Sequence, residues 1–92
     1  MDKYLEFYSK LKTNLNKNHT WPGVYLFKFI IPDEPTKLAR VQELFEEEAS
    51  IQYKKSRKGN FISVSGKEIM MNADEVIERY RKAENIQGII ML

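Results

Sequence analysis

"SIQYKKSRKGNFISVSGKEIMM", residues 50–71, decides the fold. Its two halves are rich in β-branched and aromatic residues, and Arg-Lys-Gly-Asn joins them as a short hairpin connection. Which sheet this hairpin belongs to depends on what flanks it. Upstream, "VYLFKFII" (residues 24–31) is a continuous strand-like run ended by Pro32. Alternation places Tyr25, Phe27, Phe29 and Ile31 on one face and Val24, Leu26, Lys28 and Ile30 on the other. The lysine marks the second face as the outer one.

Between that strand and the hairpin, "PDEPTKLARVQELFEEEA" (residues 32–49) predicts one helix. Pro35 suits its first turn, Asp33 or Thr36 suits its cap, and Leu38, Val41, Leu44 and Phe45 form an apolar stripe. Downstream, "NADE" has the pattern of a capping box, Asn72 with Glu75, opening a helix whose stripe is Ala73, Val76, Ile77, Tyr80 and Ala83. "NIQGIIML" (residues 85–92) closes the chain as a strand.

The order β-α-β-β-α-β describes the split βαβ, or ferredoxin-like, arrangement. The expectation is an α+β sandwich with a four-stranded antiparallel sheet and its helices on one face. Tyr25, Phe27, Phe29, Val41, Phe45, Val76 and Tyr80 are its expected core. Ahead of it, Tyr4, Tyr8, Leu11 and Leu15 recur at helical spacing, so an extra N-terminal helix is expected. Residues 1–20 read as that extension and residues 21–92 as the ferredoxin-like domain.

The outer face, with Val24, Leu26 and Ile30 on a central strand, is more apolar than a monomer usually leaves wet. The N-terminal helix lying on it, or a second copy crossing to it, would cover it, and a homodimer is the expected state.

Composition narrows the function classes. Fifteen Lys and Arg stand against 13 Asp and Glu, a net charge of +2, too even to imply nucleic acid or membrane without local clustering. The chain has no cysteine, which removes disulfides, thiolate catalysis and cysteine-ligated metal. No apolar run is long enough to span a membrane, the first residues lack the core of a signal peptide, and a cytoplasmic protein is the expectation. His19 is the single histidine, without an acidic cluster beside it in sequence. Gly23, Gly59, Gly66 and Gly88 are too scattered to cradle a phosphate as a loop. The reading is therefore a non-enzymatic regulatory or interaction domain that self-associates and carries no cofactor.

Two charge clusters remain. Glu46 to Glu48 fall at the expected C-terminal end of the first core helix, where the dipole disfavours anions. They are either a solvated helix end or the counterpart of the hairpin cations. Those cations, Lys54, Lys55, Arg57 and Lys58, form a candidate basic patch with Phe61 as its one exposed aromatic. A nucleic-acid module is the alternative function, but "KGNFISV" lacks the aromatic spacing with which RNA-recognition sheets stack bases.

The hairpin also carries a resemblance. Ser56, Lys58, Gly59, Asn60, Phe61, Ser63, Val64 and Ser65 follow the Ser-x-Lys-Gly-Asn-aromatic-x-Ser-Val-Ser stretch of the YbeD-like family of small bacterial domains. Trp21-Pro22 before a strand containing Lys28, and Asn72-Ala73 opening a helix with Tyr80 on its inner face, agree with it. The resemblance spans about residues 21–92, and the N-terminal helix departs from the family's shorter lead-in. It implies a ferredoxin-like domain shaped like the ACT regulatory domains and a proposed link to lipoate metabolism. On the motif itself, Gly59 is expected to take a positive φ and Asn60 to tolerate the same region. Ser56, Lys58, Gly59, Asn60, Phe61, Ser63 and Ser65 are the candidate surface for a small effector or a protein partner.

Overall fold

In the computed structural model, residues 5–92 are described. Three helices and four strands follow in the order α1 (Leu5–Asn18), β1 (Gly23–Pro32), α2 (Pro35–Gln42), β2 (Ser50–Lys55), β3 (Phe61–Met70), α3 (Ala73–Ala83) and β4 (Ile90–Met91). The sheet order is β2-β3-β1-β4, every pair antiparallel, with the two longest strands at the centre. This order fits the ferredoxin-like arrangement.

The alternation read from β1 holds. Phe27, Phe29 and Ile31 are fully buried while Val24, Leu26 and Lys28 on the other face are exposed. Tyr25 is only half-buried, because it lies near the sheet's end, where its hydroxyl meets that of Tyr80 at 3.0 Å. Val41, Phe45, Val76 and Tyr80 complete the expected core. The α3 cap forms as read, Asn72 Oδ1 accepting from the Glu75 amide at 2.8 Å. Burial, then the Tyr25 hydrogen bond, pushes the Tyr80 phenol up, so it stays protonated.

Three expectations need correction. First, α2 stops at Gln42, well short of Ala49, and its cap residue is Glu34, whose side chain makes no capping hydrogen bond. The chain leaves the helix so that Phe45 can turn inward onto β3. There its ring lies against Gly66, where a Cβ would run into it. A glycine mid-strand is otherwise a weakness, and here it is the seat for an aromatic ring. The same turn sends the Glu46 amide to Glu68 Oε1 at 3.2 Å. Glu46 to Glu48 therefore do not sit on a helix terminus, and β2 separates them from the hairpin cations at its other end.

Second, α1 does not lie on the outer face of the sheet. It runs antiparallel along α3: Tyr8 donates to Glu84 at 2.6 Å near one end, and Lys12 pairs with Asp74 at 3.0 Å near the other. Tyr8 and Leu15 are buried in the core cluster and Leu11 is partly so. Tyr4, the first residue of the expected stripe, lies outside the described residues. Third, the closing strand is short, and only Ile90 and Met91 pair with β1.

Inside the sandwich sits a group the sequence analysis did not single out. Arg79 of α3 meets Glu68 of β3 in a bidentate pair at 2.9 and 3.0 Å, both side chains less than one-tenth exposed. The guanidinium also lies 5.2 Å from the Phe27 ring centroid and 5.7 Å from that of Phe45. The signal was present: Glu68 falls on the inward alternation of β3, and Arg79 lies three residues after Val76 and four before Ala83 on the buried stripe.

Candidate functional site

With the helices on one face, the other face of the sheet is open. Strand register assigns its surface row by row. Val24 lies beside Ile69, Leu26 beside Lys67, Lys28 beside Ser65 and Ile30 beside Ser63. β2 adds Ser50 beside Lys67, Gln52 beside Ser65 and Lys54 beside Ser63, and β4 adds Ile90 beside Ile30. Val24, Leu26 and Ile69 are 61%, 50% and 62% exposed. Lys28, Lys54 and Lys67 stand among these rows, and the alternation brings no carboxylate onto them. Among the described residues none of the three lysines has an ion-pair partner. Glu46, Glu48 and Glu75 border the face at one corner, sharing a hollow of ≈550 Å³ with Val24, Lys67 and Ile69.

The hairpin candidates divide into two groups. Ser56, Gly59 and Asn60 build the turn. Ser56 exchanges backbone hydrogen bonds with Phe61 and Gly59, and its Oγ accepts from the Phe61 amide at 3.1 Å. Gly59 takes φ +77° as expected, but Asn60 does not share that region; its carbonyl instead accepts from the Asp33 amide at 2.9 Å. Lys58 projects from the exposed tip.

Phe61, Ser63 and Ser65 belong to the outer face. Phe61 is 44% exposed and joins Lys28, Ile30, Lys54, Lys55, Ser56, Arg57 and Ser63 around an open hollow of ≈590 Å³. Three cations of the basic patch, Lys54, Lys55 and Arg57, thus line one hollow, Lys55 also pairing with Asp33 at 3.4 Å from the helix-side register of β2, while Lys58 is not in its wall. Lys28 joins them from β1, and Lys67 and Gln52, which sequence reasoning passed over, extend the same face.

His19 stacks on Trp21 at 5.4 Å and abuts Tyr25, a packing role in the turn before β1. No helix among the described residues is long and apolar enough to cross a membrane. No curated protein and no solved structure matches the chain. Residues 16–92, which take in every element after α1, match the family described as "Protein of unknown function (DUF493)", and the chain belongs to that family.

Proposed function

We propose that this is a non-enzymatic interaction domain of the YbeD-like, ACT-shaped kind. It works in the cytoplasm and docks an acidic partner segment on the outer face of its sheet. One observation carries the reading: aliphatic rows and three unpaired lysines share an open face whose strand positions hold no carboxylate. Apolar contact supplies affinity for whatever covers the rows, and the lysines select for acidic side chains between the partner's apolar ones.

Self-association fits that face less well. A second copy laid on it brings lysines against lysines, and like charges across an interface count against binding. A homodimer is therefore the lesser form of the proposal, and it needs another surface.

A second reading rests on Phe61. An exposed ring on a central strand beside Lys54, Arg57 and Lys28 is the minimum for stacking a base. It ranks lower because the other central-strand aromatics, Tyr25, Phe27 and Phe29, lie on the core side of the sheet.

Titration of the ¹⁵N-labelled chain with a peptide alternating Glu and Leu, followed by amide shifts, tests the docking reading. The expected result is a saturable response in Val24, Leu26, Lys28, Lys67 and Ile69 that weakens with salt and disappears in Lys28→Glu/Lys67→Glu. An equal response to the same peptide with Lys for Glu would sink it. Tighter binding of single-stranded RNA through Phe61 would move the assignment to nucleic acid.

A further inference from the structure

The hairpin end of the outer face has a feature that docking a protein does not require. Two adjoining hollows, ≈590 and ≈300 Å³, share Lys28, Lys54 and Ser63 in their walls. Strand register explains the sharing. Lys54 of β2 lies beside Ser63, and Lys28 of β1 lies beside Ser65, one outward position along β3. At ordinary strand spacing their Cα atoms are about 12 Å apart, on opposite sides of the serine pair. Two lysine side chains reaching inward from that separation can close over one anion. Neither ammonium has a carboxylate partner among the described residues, and neither serine hydroxyl makes a hydrogen bond there.

We propose that this corner binds a small phosphate monoester. The phosphate sits between Lys28 and Lys54 over the hydroxyls of Ser63 and Ser65, and the body of the molecule lies against Ile30 and Phe61 in the larger hollow. The donor set is what selects phosphate. Compact ammonium groups and rotatable hydroxyls suit a tetrahedral anion with several acceptor oxygens, and the Arg57 guanidinium, which also lines the larger hollow, is a further donor that phosphate can use. A phosphate monoester also carries a second negative charge for the second lysine. The larger hollow is within the usual range for small-molecule sites, about 300–1,000 Å³. Its wall is braced by the Ser56 hydroxyl, which accepts from the Phe61 amide where β3 begins. The proposal goes beyond the docking reading, since it needs the open face and no protein partner.

Phenyl phosphate is the probe, titrated into the full ¹⁵N-labelled chain beside phenyl sulfate, phenylacetate and a short oligouridylate. Phenyl phosphate is expected to shift Lys28, Lys54, Phe61 and Ser63 while leaving Val24 and Ile69 in place. That pattern separates this site from the acidic-peptide response, so either reading can fail alone. Affinity should rise as pH passes the second phosphate ionisation near about 6. Phenyl sulfate has no such ionisation and should show no such rise. Lys54→Ala should weaken binding about tenfold, and Ser63→Ala by a smaller factor, with the amide spectrum otherwise unchanged. The proposal is overturned if phenyl sulfate or phenylacetate binds as tightly above the phosphate ionisation, if the shifts fall elsewhere, or if Lys54→Ala binds like the parent. Oligouridylate saturating these residues at far lower concentration would also overturn it, in favour of a nucleic-acid site.

Discussion

Glu68 and Arg79 show how much one pair can matter in a small sandwich. Burial by itself would raise the Glu68 carboxyl, but the Arg79 hydrogen bonds, the Glu46 amide and the guanidinium charge outweigh it and hold the group below its ordinary value of 4.5. A lowered folded value means the unfolded chain binds the proton more readily. The pair's contribution is therefore complete above the ordinary carboxylate value and is lost as pH falls through the lowered one. Glu68→Gln should flatten stability across that acid window, measured as the denaturation midpoint against pH. Arg79→Met leaves a buried carboxylate without its partner and should cost about 3–5 kcal/mol. Glu68→Leu/Arg79→Met should recover most of that loss, because removing both charges removes the desolvation penalty as well. Equal losses in the single and double variants, by urea denaturation, would show that the pair acts only through its volume.

Among the elements, α1 is the addition, since the family match begins at residue 16 and α1 begins at Leu5. It packs on α3 through Tyr8 and Leu15, and a fully buried apolar side chain contributes about 1.5–3 kcal/mol. Deleting residues 1–18 should lower the melting temperature by roughly 8–16 °C for each 2 kcal/mol lost, while leaving the outer-face response to the acidic peptide unchanged. Loss of that response in a folded truncation would mean that α1 helps to build the face after all. The elements themselves were legible because period-two runs such as Val24 to Ile31 and the stripe from Ala73 to Ala83 each have one reading. The end of α2 was not. Residues 43–49 continue a helical pattern locally, and only the place waiting for Phe45 over Gly66, which is fixed by tertiary packing, takes the chain out of it. The course of α1 was equally hidden, because an amphipathic stripe shows that a helix packs without showing against what.

At the scale of the molecule, the fold puts the aromatic residues of β1 between sheet and helices and leaves an aliphatic, lysine-bearing face, with Phe61 at its hairpin end, open on the other side. Lys28 announced that face in the sequence. The lack of carboxylates at its strand positions was harder to read, since it emerges only when Lys54, Lys67, Ser63 and Ser65 are brought beside Lys28 by the register of three strands. The hairpin motif was legible as a unit but not in its division into turn-building Ser56, Gly59 and Asn60 and face-forming Phe61, Ser63 and Ser65. The central claim is that this face seeks an acidic complement and avoids its own copy. A variant with Lys28→Glu, Lys54→Glu and Lys67→Glu keeps the aliphatic rows and reverses the charges, and so supplies that complement directly. Sedimentation velocity at low salt should show each chain alone as a monomer and their equimolar mixture as a heterodimer that dissociates as salt screens the charges. No association on mixing, or a parent homodimer that the three reversals leave intact, would contradict the account.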